Sequence, residues 1–204
     1  MDAEDALGVY LEAMLAENQH LNLTGIRDPA KARVLHVLDS LEIAGLVADL
    51  GLSPARALDL GSGNGFPGFA LCALFADAEV WWMERTGKKV KAMQRILETP
   101  AVQATGVRPP NLLHMDAAQA PALRPDLRGH FDLVCARALG APLQVAEWAR
   151  PLTGAGGYLV LWLDHETGAK TKAKLPGFVR SGLRQYVLPE PAPRRRCLVC
   201  YRRS

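Results

Sequence analysis

Several things are missing from this 204-residue chain, and each absence excludes something. No stretch reaches the ~18 consecutive apolar residues that a membrane-spanning helix requires, so a membrane protein is not expected. A secretory leader would open basic and then run apolar, whereas Met1, Asp2, Ala3, Glu4 and Asp5 open the chain acidic. Cysteine is scarce. Cys72, Cys135, Cys197 and Cys200 sit in apolar segments without framework spacing, which fits a reducing cytoplasm rather than a disulfide scaffold. The pair Cys197-x-x-Cys200 has no second pair to complete a zinc site, and residues three apart in a strand face opposite ways, so no metal is expected. Paired carboxylates and a Ser-His-Asp set are also lacking.

What is present is one domain's worth of apolar patterning, with 49% hydrophobic residues. Residues 3–18 place Ala6, Leu7, Tyr10, Leu11, Met14 and Leu15 at helical spacing, and a second helix is expected from about Pro29 to Asp49. Strands are expected at 56–60, 79–83, 111–115, 131–136 and 157–163, with helices at 67–76, 87–98 and 141–150 between them. That alternation predicts a doubly wound α/β fold with a mostly parallel sheet. Residues 178–188 and 196–202 then read as strands joined by a proline-rich loop, an antiparallel hairpin at the sheet edge. The expected organisation is an N-terminal helical region, 1–52, packed on a ligand-binding core, 53–204, within a single compact unit.

The sharpest local signal runs Asp59, Leu60, Gly61, Ser62, Gly63, Asn64, Gly65, Phe66, Pro67, Gly68. It follows a strand and precedes a helix, at the end of the sheet where open α/β proteins take their ligands. The spacing is not the G-x-G-x-x-G of a dinucleotide loop. Asp59, two positions ahead of the loop, would repel a pyrophosphate but suits a cationic sulfonium and amino group. Glu84 ends the next apolar strand, where a carboxylate can accept both hydroxyls of a ribose. The adjacent Trp81 and Trp82 divide between a core face and a covered face. His36 and Asp39 fall at i, i+3 on the second helix, close enough to share a hydrogen bond, and are expected to organise that helix against the loop.

The loop resembles motif I of class I methyltransferases, and its GSGNGFPG form is similar to that of the RsmG (GidB) family, the small-subunit ribosomal RNA guanine-N7 methyltransferases. Asn22-Leu23-Thr24 resembles that family's NLT signature. His36, Leu38, Asp39 and Ser40 resemble its H-x-L-D-S, Gly87-Lys88-Lys89-Val90 its GKR/KKV segment, and Arg137-Ala138 its R-A motif. After the fifth strand the family carries Lys-Gly where this chain has Leu163-Asp164. The resemblance implies a Rossmann-like fold and S-adenosylmethionine as cofactor, with contacts from Gly61, Phe66, Asp116, Ala117 and Arg137. Ser62, Gly63 and Gly65 belong to the same loop.

The resemblance also implies 16S ribosomal RNA, or the small subunit, as partner; the chain itself is expected to be a monomer. Guanine N7 carries a free lone pair, so the chemistry needs proximity and orientation rather than a catalytic residue. Arg137 can fork onto a carboxylate, a phosphate or guanine O6. Lys88, Lys89 and Lys91, beginning the helix after Glu84, are expected to meet RNA phosphates, with the arginine-rich tail as a second basic patch. A methyltransferase acting on another RNA, a protein or a small molecule, or a non-catalytic RNA-binding protein with a vestigial pocket, are the other readings of the same residues.

Overall fold

The computed structural model describes residues 1–204. Asp2 accepts a hydrogen bond from the Asp5 amide and starts α1 (Ala3–Glu17), which buries Leu7, Tyr10, Leu11 and Met14. A loop follows, closed by Asn18, whose side-chain oxygen accepts from the amides of Leu23 and Thr24. Asp28 then caps α2 (Pro29–Ala32). The single helix expected over 29–49 is continuous, but it is not uniform. α2 runs into a wide π turn, Arg33–Leu38, and then into α3 (Asp39–Asp49). Such turns recur at functional sites, and this one turns His36 inward.

Five parallel strands follow: β1 (Arg56–Leu60), β2 (Glu79–Glu84), β3 (Asn111–His114), β4 (Phe131–Arg137) and β5 (Thr153–Asp164). Between them lie α4 (Gly68–Leu74), α5 (Gly87–Leu97), α6 (Pro100–Gln103), α7 (Ala120–Leu123) and α8 (Pro142–Ala149). After β5 come α9 (His165–Lys170), the short β6 (Lys174–Leu175), β7 (Phe178–Leu188) and β8 (Arg194–Arg203). The sheet order is β3-β2-β1-β4-β5-β8-β7-β6. The C-terminal hairpin is antiparallel, and its second strand is the inner one: β8 pairs with β5 from Tyr158↔Arg202 to Asp164↔Arg196.

Two departures from the sequence pattern have physical reasons. β5 starts four residues earlier than its apolar run, because Gly154 and Gly157 occupy its first half; a Cβ on either would lie 3.0 Å from a carbonyl oxygen of the β4 side. Asp164, standing where the resemblance calls for glycine, accepts from the Thr167 amide at 2.8 Å and so starts α9.

The sheet is covered on both faces. Residues of the N-terminal segment, among them Leu7, Tyr10, Ile43 and Leu46, share one core with Ala57, Phe69, Trp82 and Val160. On the opposite face Leu58, Leu60, Val134 and Leu161 pack with Val145 and Ala149 of α8. Tyr10 is the pin of the first core. It stacks on Phe69 with ring centroids 4.4 Å apart and meets Phe66 and Trp82 edge-on, and its hydroxyl donates to the Asn64 carbonyl at 3.2 Å.

Tyr10→Ala should cost about 3–5 kcal/mol in urea unfolding, through the cavity it leaves. Tyr10→Phe should cost only about 1 kcal/mol, through one hydrogen bond. Equal losses for the two variants would show that the ring's packing is not what matters.

Candidate active site

The C-terminal ends of the parallel strands open on a cavity of about 780 Å³. Its floor is the turn after β1. The amides of Gly61 and Ser62 both donate to the Met83 carbonyl, at 2.8 and 3.1 Å, which locks the turn to β2. Gly61, Ser62, Gly63, Asn64 and Phe66 face the cavity. Glu84, 7% exposed, accepts the Gly63 amide on Oε2 at 3.1 Å and the Thr86 amide on Oε1 at 2.7 Å. Its carboxylate thus braces the loop and stands in the cavity wall. Asp116 and Ala117 line the same flank; Asp116 folds back to accept from the Ala118 amide. Met115 and Leu139 add apolar surface that sequence reading did not single out.

Two loop positions expected to touch a ligand have other work. Alternation along β1 sends Asp59 to the same face as Ala57, under α4, and not to the cavity. There its Oδ2 accepts from the Gly68 amide at 2.9 Å, while Oδ1 and the neighbouring indole N–H of Trp82 are buried without a partner. Burial pushes the Asp59 carboxyl up to about 7, against the downward pull of the Arg137 guanidinium. Gly65 also faces away: a Cβ there would collide with the Tyr10 hydroxyl. Among the lysines, Lys89 lines the cavity, whereas Lys88 and Lys91 are exposed and take no part in its wall.

The opposite flank is built around Asp39, 2% exposed. Its carboxylate accepts from Arg137 Nη1 at 3.2 Å, from Tyr186 at 2.7 Å, and from Nε and Nη2 of Arg196, both at 3.1 Å. Its backbone carbonyl accepts from the Trp162 indole at 2.8 Å. Arg137 lines the cavity, yet its terminal nitrogens are engaged. Nη1 also donates to the Leu35 carbonyl at 3.0 Å, and Nη2 donates to the Phe66 carbonyl at 3.1 Å and to His36 Nδ1 at 3.2 Å. The expected fork onto a ligand is therefore a fork onto the protein, and Arg137 is a positioning residue. His36 and Asp39 do not bond each other; both bond Arg137.

An arginine can only donate, so Nδ1 of His36 accepts and the ring proton sits on Nε2, 3.2 Å from Thr24 Oγ1. The ring stacks on Phe66 at 5.6 Å. Burial, with the Arg137 charge beside it, pushes the His36 pKa down to about 3. The short motifs around Thr24, His36, Asp39 and Arg137 thus converge on one network that holds Phe66 and the glycine loop.

The strand order, the inserted antiparallel strand and a glycine loop after β1 define the Rossmann-like fold of class I methyltransferases. The chain belongs to the GidB family, rRNA small subunit methyltransferase G, whose model matches residues 3–174. The ribosomal RNA small subunit methyltransferase G of Leptothrix cholodnii is 33% identical over 157 residues, covering 75% of this chain and 66% of that protein. The Chloroflexus aggregans protein of the same name is 33% identical over 151 residues, covering 74% and 60%. The chain therefore spans less than two thirds of the length of these curated relatives. Among solved structures, a predicted O-methyltransferase from Agrobacterium tumefaciens matches with a TM-score of 0.65 at 28% identity, covering 81% of each chain. An MtNAS variant in complex with S-adenosylmethionine shares the fold, with a TM-score of 0.58 at 18% identity over 95% of this chain and 73% of its own.

Two predictions test this geometry. A Cβ on Gly63 meets nothing nearer than the Gly61 carbonyl at 3.7 Å, so Gly63→Ala should leave the protein folded, at a cost of about 1–2 kcal/mol for its left-handed backbone, and weaken ligand binding. Gly65→Ala, with Tyr10 in the way, should lose more stability than Gly63→Ala; the reverse order in urea unfolding would refute this placement. For His36, the unfolded ring takes up a proton near pH 6.5 and the folded ring only near pH 3, so its contribution is full above 6.5 and lost as pH falls toward 3. Between pH 7 and 5 the wild type should therefore lose about 2 kcal/mol more stability than His36→Asn. Parallel pH profiles would refute the buried neutral ring.

Proposed function

We propose that the cavity binds S-adenosylmethionine and that the chain, acting in the cytoplasm as a monomer, transfers a methyl group to N7 of a guanine in 16S ribosomal RNA. The observation that carries this reading is the buried Glu84 carboxylate in the cavity wall, bonded to the Gly63 amide of an open glycine turn. That pairing suits a ribose hydroxyl pair beside a backbone that a ligand can approach closely. Family membership supplies the acceptor: relatives carry the name ribosomal RNA small subunit methyltransferase G.

The residues present fit the cofactor. Glu84 would hold the ribose, Asp116 and Ala117 the adenine edge, and Gly61, Ser62 and Gly63 the stretch across the floor. When bound, S-adenosylmethionine supplies an electrophilic methyl group on a sulfonium. Guanine N7 reacts through its own lone pair, so the protein needs no general base. It has to orient the base and keep water out, which accounts for most of the rate in such a step. His36, Arg137 and Asp39 fit that role, because their mutual bonds leave a rigid wall with no side chain free to compete for the methyl group.

Titration calorimetry should detect S-adenosylmethionine and S-adenosylhomocysteine but not NAD. Mass mapping of 16S ribosomal RNA from cells lacking the gene should show the loss of one N7-methylguanine, restored by the gene and not by a Gly63→Ala copy. An unchanged modification map would reject the acceptor, and NAD binding without response to either sulfur ligand would reject the cofactor.

A further inference from the structure

The two flanks of the cavity carry different charge. At the ends of β2 and β3, Glu84 and Asp116 face Arg85 and Lys89, so acids and bases balance. The flank formed by the π turn, the end of β4 and the start of β8 carries Arg137, Arg194 and Arg196 against the single carboxylate of Asp39. Arg137 and Arg196 are tied to Asp39 and stay in the wall, with side chains 10% and 18% exposed. Arg194 is different. It is exposed at the cavity rim and takes part in no side-chain hydrogen bond or ion pair. Arg195, the next residue of β8, points to the other face of the strand, where its Nη2 lies 3.2 Å from His165 Nε2 at the start of α9, and it does not line the cavity. The surplus positive charge therefore stands at the mouth, free to meet an anion.

If Glu84 takes the ribose, as the proposed function has it, the cofactor's adenine lies toward β3 and its reactive end toward the other flank. The acceptor must then enter between β8 and the N-terminal segment. Leu23, Ile26 and Leu35 line that side, giving a base an apolar wall beneath the arginines.

We infer that Arg194, at the start of β8, holds a phosphate of the RNA strand that carries the target base, and that Arg195, on the other face of β8, and Lys88 and Lys91 on α5 do not. This rests on the proposed function and deepens it by placing the RNA on one side of the mouth. An exposed guanidinium without protein partners suits phosphate, whose contacts release counterions and make affinity fall with salt.

The test measures binding of a 16S ribosomal RNA transcript by the full chain against salt concentration. In Arg194→Ala the slope of log affinity against log salt should shrink by roughly one unit. S-adenosylhomocysteine affinity, measured in parallel, should stay unchanged. Arg194→Lys should keep the wild-type slope, because the contact is one of charge. Arg195→Ala and Lys88→Ala/Lys91→Ala should also retain it. An unchanged slope in Arg194→Ala overturns the inference, and so does a reduced slope in Arg195→Ala or in the lysine pair. A parallel loss of S-adenosylhomocysteine affinity in Arg194→Ala would assign this guanidinium to the cofactor's carboxylate and also overturn it. Wild-type protein that binds S-adenosylhomocysteine but shows no RNA binding at low salt would instead reject the RNA acceptor, and this inference with it.

Discussion

Everything around the cavity depends on one buried carboxylate. Asp39 closes the junction between the π turn and α3, and four donors from three other elements converge on it. A carboxylate taken out of water is costly, and removing one partner of such a cluster costs about 3–5 kcal/mol because the others are left unpaired. The arrangement is a registry device as much as a source of stability. It admits one position of the N-terminal segment against β4, β7 and β8, and a slip in any of these leaves a guanidinium or the carboxylate without a partner.

The same cluster also fixes the cavity wall. Arg137 reaches from Asp39 to His36 and to the Phe66 carbonyl, so the loop after β1 is held from the side as well as from below by Glu84. The neutral imidazole is a consequence: burial disfavours its charged form, and the Arg137 guanidinium 3.2 Å away disfavours it further. For the proposed methyl transfer to guanine N7, which needs no activated nucleophile, fixed geometry is what a protein wall can contribute.

The five parallel strands, the hairpin and the ligand loop were legible because each is written in local periodicity or in turn residues. A place in the cavity wall was legible where position at a strand end decides it, as for Glu84 and Asp116. It was misread where the decision is made by the face of a strand or by a distant partner. Asp59 has the right sequence position and the wrong side of β1. Arg137 has the right chemistry, but its acceptors lie about a hundred residues earlier, at Leu35, His36 and Asp39, where no spacing rule connects them. The i, i+3 pairing of His36 with Asp39 was the available clue, since two polar residues on one helix face point to a shared partner. The π turn left no signature, because nothing in Arg33–Leu38 departs from ordinary helical composition.

Arg137 lies 98 residues after Asp39, and Arg196 lies 157 residues after it. Synthesis runs in that direction, so both Asp39 and Arg137 exist before β8 does. A nascent chain that has made β4 but not β8 can form the one-to-one pair of Asp39 with Arg137. The second guanidinium arrives only with β8, along with Arg194 at the rim. Until β8 has been made, Asp39 and Arg137 balance each other, and the surplus positive charge of this flank of the cavity arrives only with the last strand.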